Sequence, residues 1–318
     1  MKPWVWAALA ALVFLLHRRV LKPRREVAAR RSYFRGKVVW LTGASSGIGE
    51  ALAMELYKCG ATLILSSRRT AELERVRQQC IAQRLPAGIP TPPEPRIVAL
   101  DLAATPDAIA SATRIVLAQY SGVVDVLINN SGISTRASVL ESQNEMEARV
   151  MQVNFFGAAQ ITKLVLPGML ARGTGHIGVV SSVQGKLGIG FRSAYAASKH
   201  AVHGYFDSLR AEVAGRGLRV TLCCPGYVQT NLSLNALTGD GSAHGQMDET
   251  TAKGYKPSFV AEKMLSSMAL NRTELVLAPL DARLAILLRY LLPDLLARLM
   301  AKRAEKQRRL EQAPAGSR

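Results

Sequence analysis

The chain has 318 residues, 48% of them hydrophobic and 20% charged, with a formal net charge of +18. That length and apolar content suit one domain with a large core and exclude a disordered or disulfide-stapled miniature scaffold. The basic excess sits at the two ends. Residues 1–37 hold ten Lys/Arg against Glu26 and residues 282–318 hold nine against Asp294, Glu305 and Glu311, leaving only +3 between them. With no zinc-ligand spacing and no aromatic–basic interleaving, nucleic acid is not an expected partner, and a membrane surface fits such ends better.

Trp4 to Leu16 is an unbroken apolar run, followed by Arg18 and Arg19. As a helix it rises about 20 Å, short of a ~30 Å hydrocarbon core, and counted on to Leu21 with the two arginines snorkelling it reaches about 27 Å. It is expected to span once or to dip in as a monotopic anchor. No small-residue cleavage site follows, which disfavours a cleaved signal peptide. The positive charge behind the run is expected to leave the folded part in the cytosol; the membrane expected is the endoplasmic reticulum or, alternatively, the peroxisome.

Lys37-Val-Val-Trp-Leu-Thr reads as a buried strand, Gly43, Gly47 and Gly49 as a tight turn, and Ala51-Leu-Ala-Met-Glu-Leu as a helix. Strand, glycine turn and helix together let backbone N–H groups approach a pyrophosphate at a helix N-terminus. The loop residues Gly43, Ser45, Ser46, Gly47, Ile48 and Gly49 are candidate cofactor contacts. A second strand, Ala61 to Ser67, ends at Arg68 and Arg69 with no carboxylate. An acid there would bind a ribose 2′-hydroxyl, whereas a guanidinium forks onto a 2′-phosphate, so Arg68 favours NADP(H); Arg69 reads equally well as a solvated helix start.

A proline-rich loop from Arg84 to Arg96 is a spacer before the third strand. Ser182 closes the apolar run His176-Ile-Gly-Val-Val-Ser-Ser, and active-site side chains favour the carboxyl ends of such strands. Tyr195 and Lys199 follow at i and i+4, one helix face, so the Lys199 ammonium is expected to favour the Tyr195 phenolate and make the phenol a usable proton carrier. Cys59, Cys80, Cys223 and Cys224 show neither a disulfide framework nor a metal pattern, and no metal is expected. The polar stretch from Thr230 to Lys256, with Gly239, Gly241 and Gly245, is expected to form a mobile lid. Beyond Leu284 an apolar stretch with interspersed arginines is expected to kink at Pro293, either as an interfacial amphipathic helix beside the pocket mouth or as a cap on the core.

From Lys37 to Pro279 the chain resembles the short-chain dehydrogenase/reductase family, on the glycine loop, Asp101-Leu102, Asn129-Asn130-Ser131-Gly132, Asn154, Ser182, Tyr195, Lys199 and Pro225-Gly226 with Thr230. Ser131 stands where the family more often has alanine. The resemblance implies an α/β, Rossmann-type doubly wound parallel sheet in a single domain. It implies that Asp101, with Leu102, meets the adenine, that Asn129 braces the sheet, and that Val228 and Thr230, beside Pro225 and Gly226, face the nicotinamide amide. It also implies a catalytic tetrad of Asn154, Ser182, Tyr195 and Lys199, with Asn154 holding a water that links Lys199 to solvent, and a homo-oligomer formed through the helices carrying Asn154 and Tyr195. Gln184-Gly-Lys, the Phe191-to-His200 segment, the Pro225-to-Ser233 segment and Met247-to-Ala252 resemble one branch of the family, associated with reduction of acyl- or alkyl-dihydroxyacetone phosphate.

The organisation expected is an anchor and basic segment over 1–36, a catalytic domain over 37–281 and a helical tail over 282–318. The activity expected is NADP(H)-dependent reduction of a ketone on a lipid-like substrate, with Ser182, Gln184 and Arg192 toward the substrate. Arg192 and Arg136 either meet a substrate phosphate or form structural salt bridges. The alternatives are a retinoid- or steroid-type alcohol–ketone oxidoreductase and a non-enzymatic NADP(H)-binding membrane protein.

Overall fold

A computed structural model describes residues 22–312, so the apolar run Trp4–Leu16 lies outside the described residues. Strands β1 (Val38–Thr42), β2 (Thr62–Ser67), β3 (Arg96–Ala99), β4 (Val126–Asn129), β5 (Gly175–Val180), β6 (Leu218–Pro225) and β7 (Glu274–Leu277) form one parallel sheet in the order β3-β2-β1-β4-β5-β6-β7. The chain therefore reverses direction across the sheet between β1 and β4, and it is at such a switch point that doubly wound sheets bind ligands. Central strands covered on both faces need near-continuous apolar sequence, and all of β2, β4 and β5 is buried.

Side-chain alternation divides the core in two. Val39, Leu41, Leu63 and Leu65 pack on one face, while Trp40, Ile64, Leu127 and Ile177 pack on the other. Crossover helices α2 (Gly47–Lys58), α3 (Thr70–Ile81), α4 (Pro106–Gln119), α5 (Asn144–Met151), α6 (Gly157–Arg172) and α7 (Ser193–Glu212) cover these faces. Local signals set their ends: Thr105 accepts from Ala108 N at 3.4 Å with Pro106 at the first helical position, and Gly173 closes α6 in the left-handed conformation. Residues 84–95 form neither helix nor strand, as expected of the proline-rich spacer.

The basic segment before residue 37 has a structure that the sequence did not announce: Lys22–Phe34 is helix α1, docked on α9 (Pro257–Ala269). Phe34 is fully buried, Glu26 pairs with Lys263 at 2.7 Å, and Arg30 donates to Ser266 Oγ at 3.0 Å. The sequence pattern hid this because the helix holds its place with one aromatic and paired charges rather than an apolar stripe. Phe34→Ala is expected to destabilise the fold by about 3–5 kcal/mol, read as a lower midpoint in chemical denaturation; an unchanged midpoint would mean that α1 packs without contributing.

After β6 come a short helix α8 (Glu249–Ala252), then α9, β7 and two terminal helices, α10 (Leu280–Leu291) and α11 (Pro293–Gln312). Pro293 starts the second of these, so the chain breaks at Leu292 as expected. Among the described residues no helix is long and apolar enough to cross a membrane.

Candidate active site

A cavity of about 430 Å³ opens at the carboxyl ends of the strands and is lined by the glycine loop, the ends of β2, β4, β5 and β6, and α7. Its glycine loop is tightly built. Gly43 and Gly47 have φ of +65° and +61°, where L side chains are strained, and a Cβ at Gly49 would fall 2.0 Å from the Gly43 carbonyl oxygen. Asn130 Nδ2 fastens the loop by donating to the carbonyls of Thr42 and Gly43 at 3.1 and 3.0 Å, while Thr42 Oγ1 accepts from Asn130 N. At the start of α2, Ser46 supplies no side-chain cap, which leaves the first-turn N–H groups free for an anion. These features fit a dinucleotide. Asp101, Leu102, Val228, Thr230, Pro225 and Gly226 line the same cavity. Asn129 lies just behind it, buried, donating to Thr162 Oγ1 at 3.0 Å.

At the end of β2, Arg68 and Arg69 both line the cavity and both are exposed. It is Arg69 that folds back over the loop, donating to Ser45 Oγ at 3.1 Å and Ser46 Oγ at 2.8 Å. Sequence reasoning placed more weight on Arg68. The spacing of the loop serines from a strand-end arginine is a tertiary relation that the chain order conceals.

Tyr195 and Lys199 project from the first turns of α7 and are almost fully buried, as is Ser182 just beyond β5. Lys199 Nζ donates to Val180 O at 3.0 Å and lies 5.8 Å from the Tyr195 ring centroid. Burial pushes the Lys199 ammonium down to about 8. The expected lowering of the Tyr195 phenol by the Lys199 ammonium is not what dominates here. Burial raises the phenol above its ordinary value, and Ser182, Arg136 and Arg192 pull it down by less. The protein by itself thus keeps Tyr195 as a proton donor.

Asn154 sits in a π-helical turn, Gln152–Phe156, between α5 and α6, and not in regular α-helix as its context suggested. Its Oδ1 accepts from Ile133 N at 2.8 Å, and its Nδ2 donates to Ile133 O and to Ser198 Oγ, each at 2.9 Å. A Cβ on Gly132 would lie 3.3 Å from Asn154 Oδ1 and 3.6 Å from Lys199 Nζ, so the glycine preserves a space shared by the two side chains.

Gln184 and Arg192 line the cavity, with Gln184 Oε1 buried and unpartnered among the described residues. Arg192 forms a salt bridge: its Nη2 meets Asp248 Oδ2 at 3.0 Å and its Nη1 meets the Tyr227 hydroxyl at 2.9 Å. Arg136 grips the same carboxylate through Nε and Nη2. Of the two readings of these arginines, the structural one is present, and Asp248, which brings them together, was missed because it lies in a polar stretch with no motif. Burial opposes ionisation of Asp248, but Arg136 and Arg192 outweigh it and hold the carboxyl below its ordinary value. Tyr227 lies between Arg192 and Arg303; burial raises its phenol, and the two guanidiniums together bring it below the usual range.

The stretch expected as a lid forms a wall of the cavity, with Leu232, Ser233, Leu237 and Thr251 in the lining. It is stitched down at Leu237, which pairs with Ser134 and Arg136 through backbone bonds of 2.8 Å. All four cysteines are buried and free. His203, Cys224 and Glu274 bring donor atoms within 4.8 Å of one another, but Glu274 is engaged by Lys186 at 2.8 Å and His203 lies 3.5 Å from the Cys224 thiol.

A parallel sheet with this switch point, glycine loop and Ser–Tyr–Lys–Asn cluster defines a nucleotide-dependent oxidoreductase fold, and the chain belongs to the short-chain dehydrogenase/reductase family, whose sequence profile, described as short chain dehydrogenase, matches residues 37–239. Among named proteins it is similar to dehydrogenase/reductase SDR family member 7B of Bos taurus, 47% identical over 279 residues that cover 88% of this chain and 85% of that protein. Similar solved structures include the alcohol dehydrogenase of Thermococcus sibiricus complexed with 5-hydroxy-NADP, with TM-score 0.63, 26% identity and coverage of 76% of this chain and 96% of that one. Another is a short-chain dehydrogenase/reductase of Burkholderia phymatum in complex with NAD, with TM-score 0.70, 26% identity and coverage of 82% and 95%.

Proposed function

We propose that this oxidoreductase is membrane-associated and uses NADP(H) to reduce a ketone on a lipid-like substrate, with acyl- or alkyl-dihydroxyacetone phosphate as the leading candidate. The observation that carries the cofactor choice is the carboxylate-free end of β2, where Arg68 and Arg69 face the cavity and Arg69 bridges to the loop serines. When bound, the nicotinamide supplies the hydride. Ser182 and Tyr195 hold the ketone oxygen, and Tyr195 passes its phenolic proton to that oxygen as the alcohol forms. Lys199 returns a proton to Tyr195, and a water in the space kept by Gly132 relays it by way of Asn154.

Arg136, Arg192 and Asp248 together carry one net positive charge at the cavity wall, which favours an anionic head group. Ile133, Val183, Ile189 and Leu237 offer apolar surface for a chain. The membrane reading rests on the apolar run Trp4–Leu16 with the basic residues behind it. A homo-oligomer through α6 and α7 would cover Phe156 and Leu164, which are exposed at the start and middle of that helical stretch.

NADPH is expected to bind about a hundredfold more tightly than NADH, and the double variant Arg68→Ala/Arg69→Ala to lose most of that ratio, because a charge-assisted contact is worth about 1.5–3 kcal/mol. Fluorescence titration with both cofactors decides it; equal affinities in the wild type would reject the NADP(H) assignment. A panel of lipid ketones with and without a phosphate, followed by cofactor absorbance, separates the phosphate-bearing substrate from retinoid- or steroid-type ones. Turnover of none would favour a non-enzymatic NADP(H)-binding protein.

A further inference from the structure

Helix α10 turns four of its leucines outward. Leu280, Leu284, Leu287 and Leu291 recur at i, i+4, i+7 and i+11, one stripe of the helix, and are 72, 50, 55 and 72% exposed. Beyond the break, Leu292, Leu295 and Leu299 continue at i, i+3 and i+7, with exposures of 53, 44 and 43%. The half-buried side of α10 holds Ala282, Ala285, Ile286 and Leu288, while on α11 Leu296 is buried and Ala304 half-buried. Seven outward leucines on two successive helices are more exposed apolar surface than scattered single residues give, and such a surface is one that something covers.

Two observations point to a bilayer with anionic lipid as the occupant. The first is charge. Residues 280–312 hold eight Lys/Arg against four acids, and Arg283, Arg298 and Lys302 are exposed on the same two helices. Leucines flanked by long basic side chains that can snorkel suit a headgroup–acyl boundary. The second is position. Arg303 donates to the Tyr227 hydroxyl at 3.0 Å, and a Cβ on Gly190 would lie 3.1 Å from Ala304 Cβ. Tyr227 and Ile189 line the active-site cavity, so the helical pair borders its mouth.

We infer that the outward face of α10 and the start of α11 is a docking surface for an anionic bilayer, which seats the cavity mouth against the membrane so that a lipid-like substrate enters without crossing water. Delivery of substrate rests on the proposed reaction; the docking deepens the proposed membrane association and needs neither the reaction nor the cofactor.

The test uses the full chain in lipid nanodiscs. The four native cysteines are all buried, so Leu287→Cys, at an exposed site, takes a thiol-reactive fluorophore selectively, and Arg216→Cys, in the turn before β6 at the opposite pole, serves as the reference. Nitroxides carried on lipid acyl chains are expected to quench the label at 287 several-fold more than the label at 216, and more so when phosphatidylserine is mixed into phosphatidylcholine. Absence of extra quenching at 287 overturns the inference. In that case water-like emission would mean an uncovered face, blue-shifted emission that depends on protein concentration would mean a second copy, and concentration-independent blue-shifted emission would mean that another part of the chain lies there. No substrate or cofactor is present, so failure of the proposed function leaves this result unaffected. As a functional readout, Leu284→Glu/Leu287→Glu is expected to raise KM about tenfold for a long-chain ketone in the disc, with turnover of a short water-soluble ketone unchanged.

Discussion

Replacing Tyr195 by Phe is expected to lower reductive turnover about 10²–10⁴-fold while leaving cofactor affinity and the circular dichroism spectrum unchanged. The ring is buried and packs as before; what disappears is the phenolic O–H that the ketone oxygen needs. The pH profile of the wild type gives an independent check. Reduction needs Tyr195 protonated and Lys199 charged. Lys199, pushed down to about 8 by burial, loses its proton first, so the rate should fall as pH rises through that value. Burial raises the Tyr195 phenol, so its contribution to the decline comes only in the strongly alkaline range. A Tyr195→Phe enzyme that kept more than a tenth of the wild-type rate would show that the proton comes from elsewhere.

Gly49→Ala is expected to weaken NADPH binding by about 2–3 kcal/mol, roughly a hundredfold, through loss of loop–phosphate hydrogen bonds. The added Cβ would lie 2.0 Å from the Gly43 carbonyl oxygen and 2.6 Å from Asn130 Nδ2. A backbone oxygen cannot swing aside as a flexible side chain can, so the turn that presents the N–H groups has to shift. Gly204→Ala is the control. Nothing lies within 4 Å of its Cβ, it sits on an exposed face of α7, and alanine is the better helix former, so affinity should hold and stability rise slightly. Cofactor fluorescence titration of both variants decides the matter; equal affinities would mean that the loop tolerates the side chain and that its glycines are not what fits it to a phosphate.

The sheet, the glycine turn, the strand-end Ser182 and the Tyr195–Lys199 pair were legible in the sequence because each depends on residues within one helical turn or one strand. Apolar runs of strand length, a 3.6-residue period and glycines at a strand-to-helix junction are local consequences of backbone geometry. The family resemblance carried Asn154 but neither its π-helical turn nor its side-chain partners Ile133 and Ser198, 21 and 44 residues away.

What lay out of reach is long-range and electrostatic. Asp248 joins Arg136 and Arg192 across 112 and 56 positions, Asn130 secures a loop 87 positions earlier, and Arg30 reaches 236 positions to Ser266. No period or motif announces such pairs, because a charge finds its partner through space and not along the chain. The direction of the Tyr195 shift belongs here too. The i, i+4 rule correctly placed Lys199 on the same helix face, yet burial in the assembled fold dominates and keeps the phenol protonated. The sequence by itself determined the fold class, the family and the candidate site residues. Only the tertiary structure decided the docking of α1, the arginine pair held by Asp248, and the outward turn of the α10 leucines, since each depends on which surfaces meet once the sheet is complete.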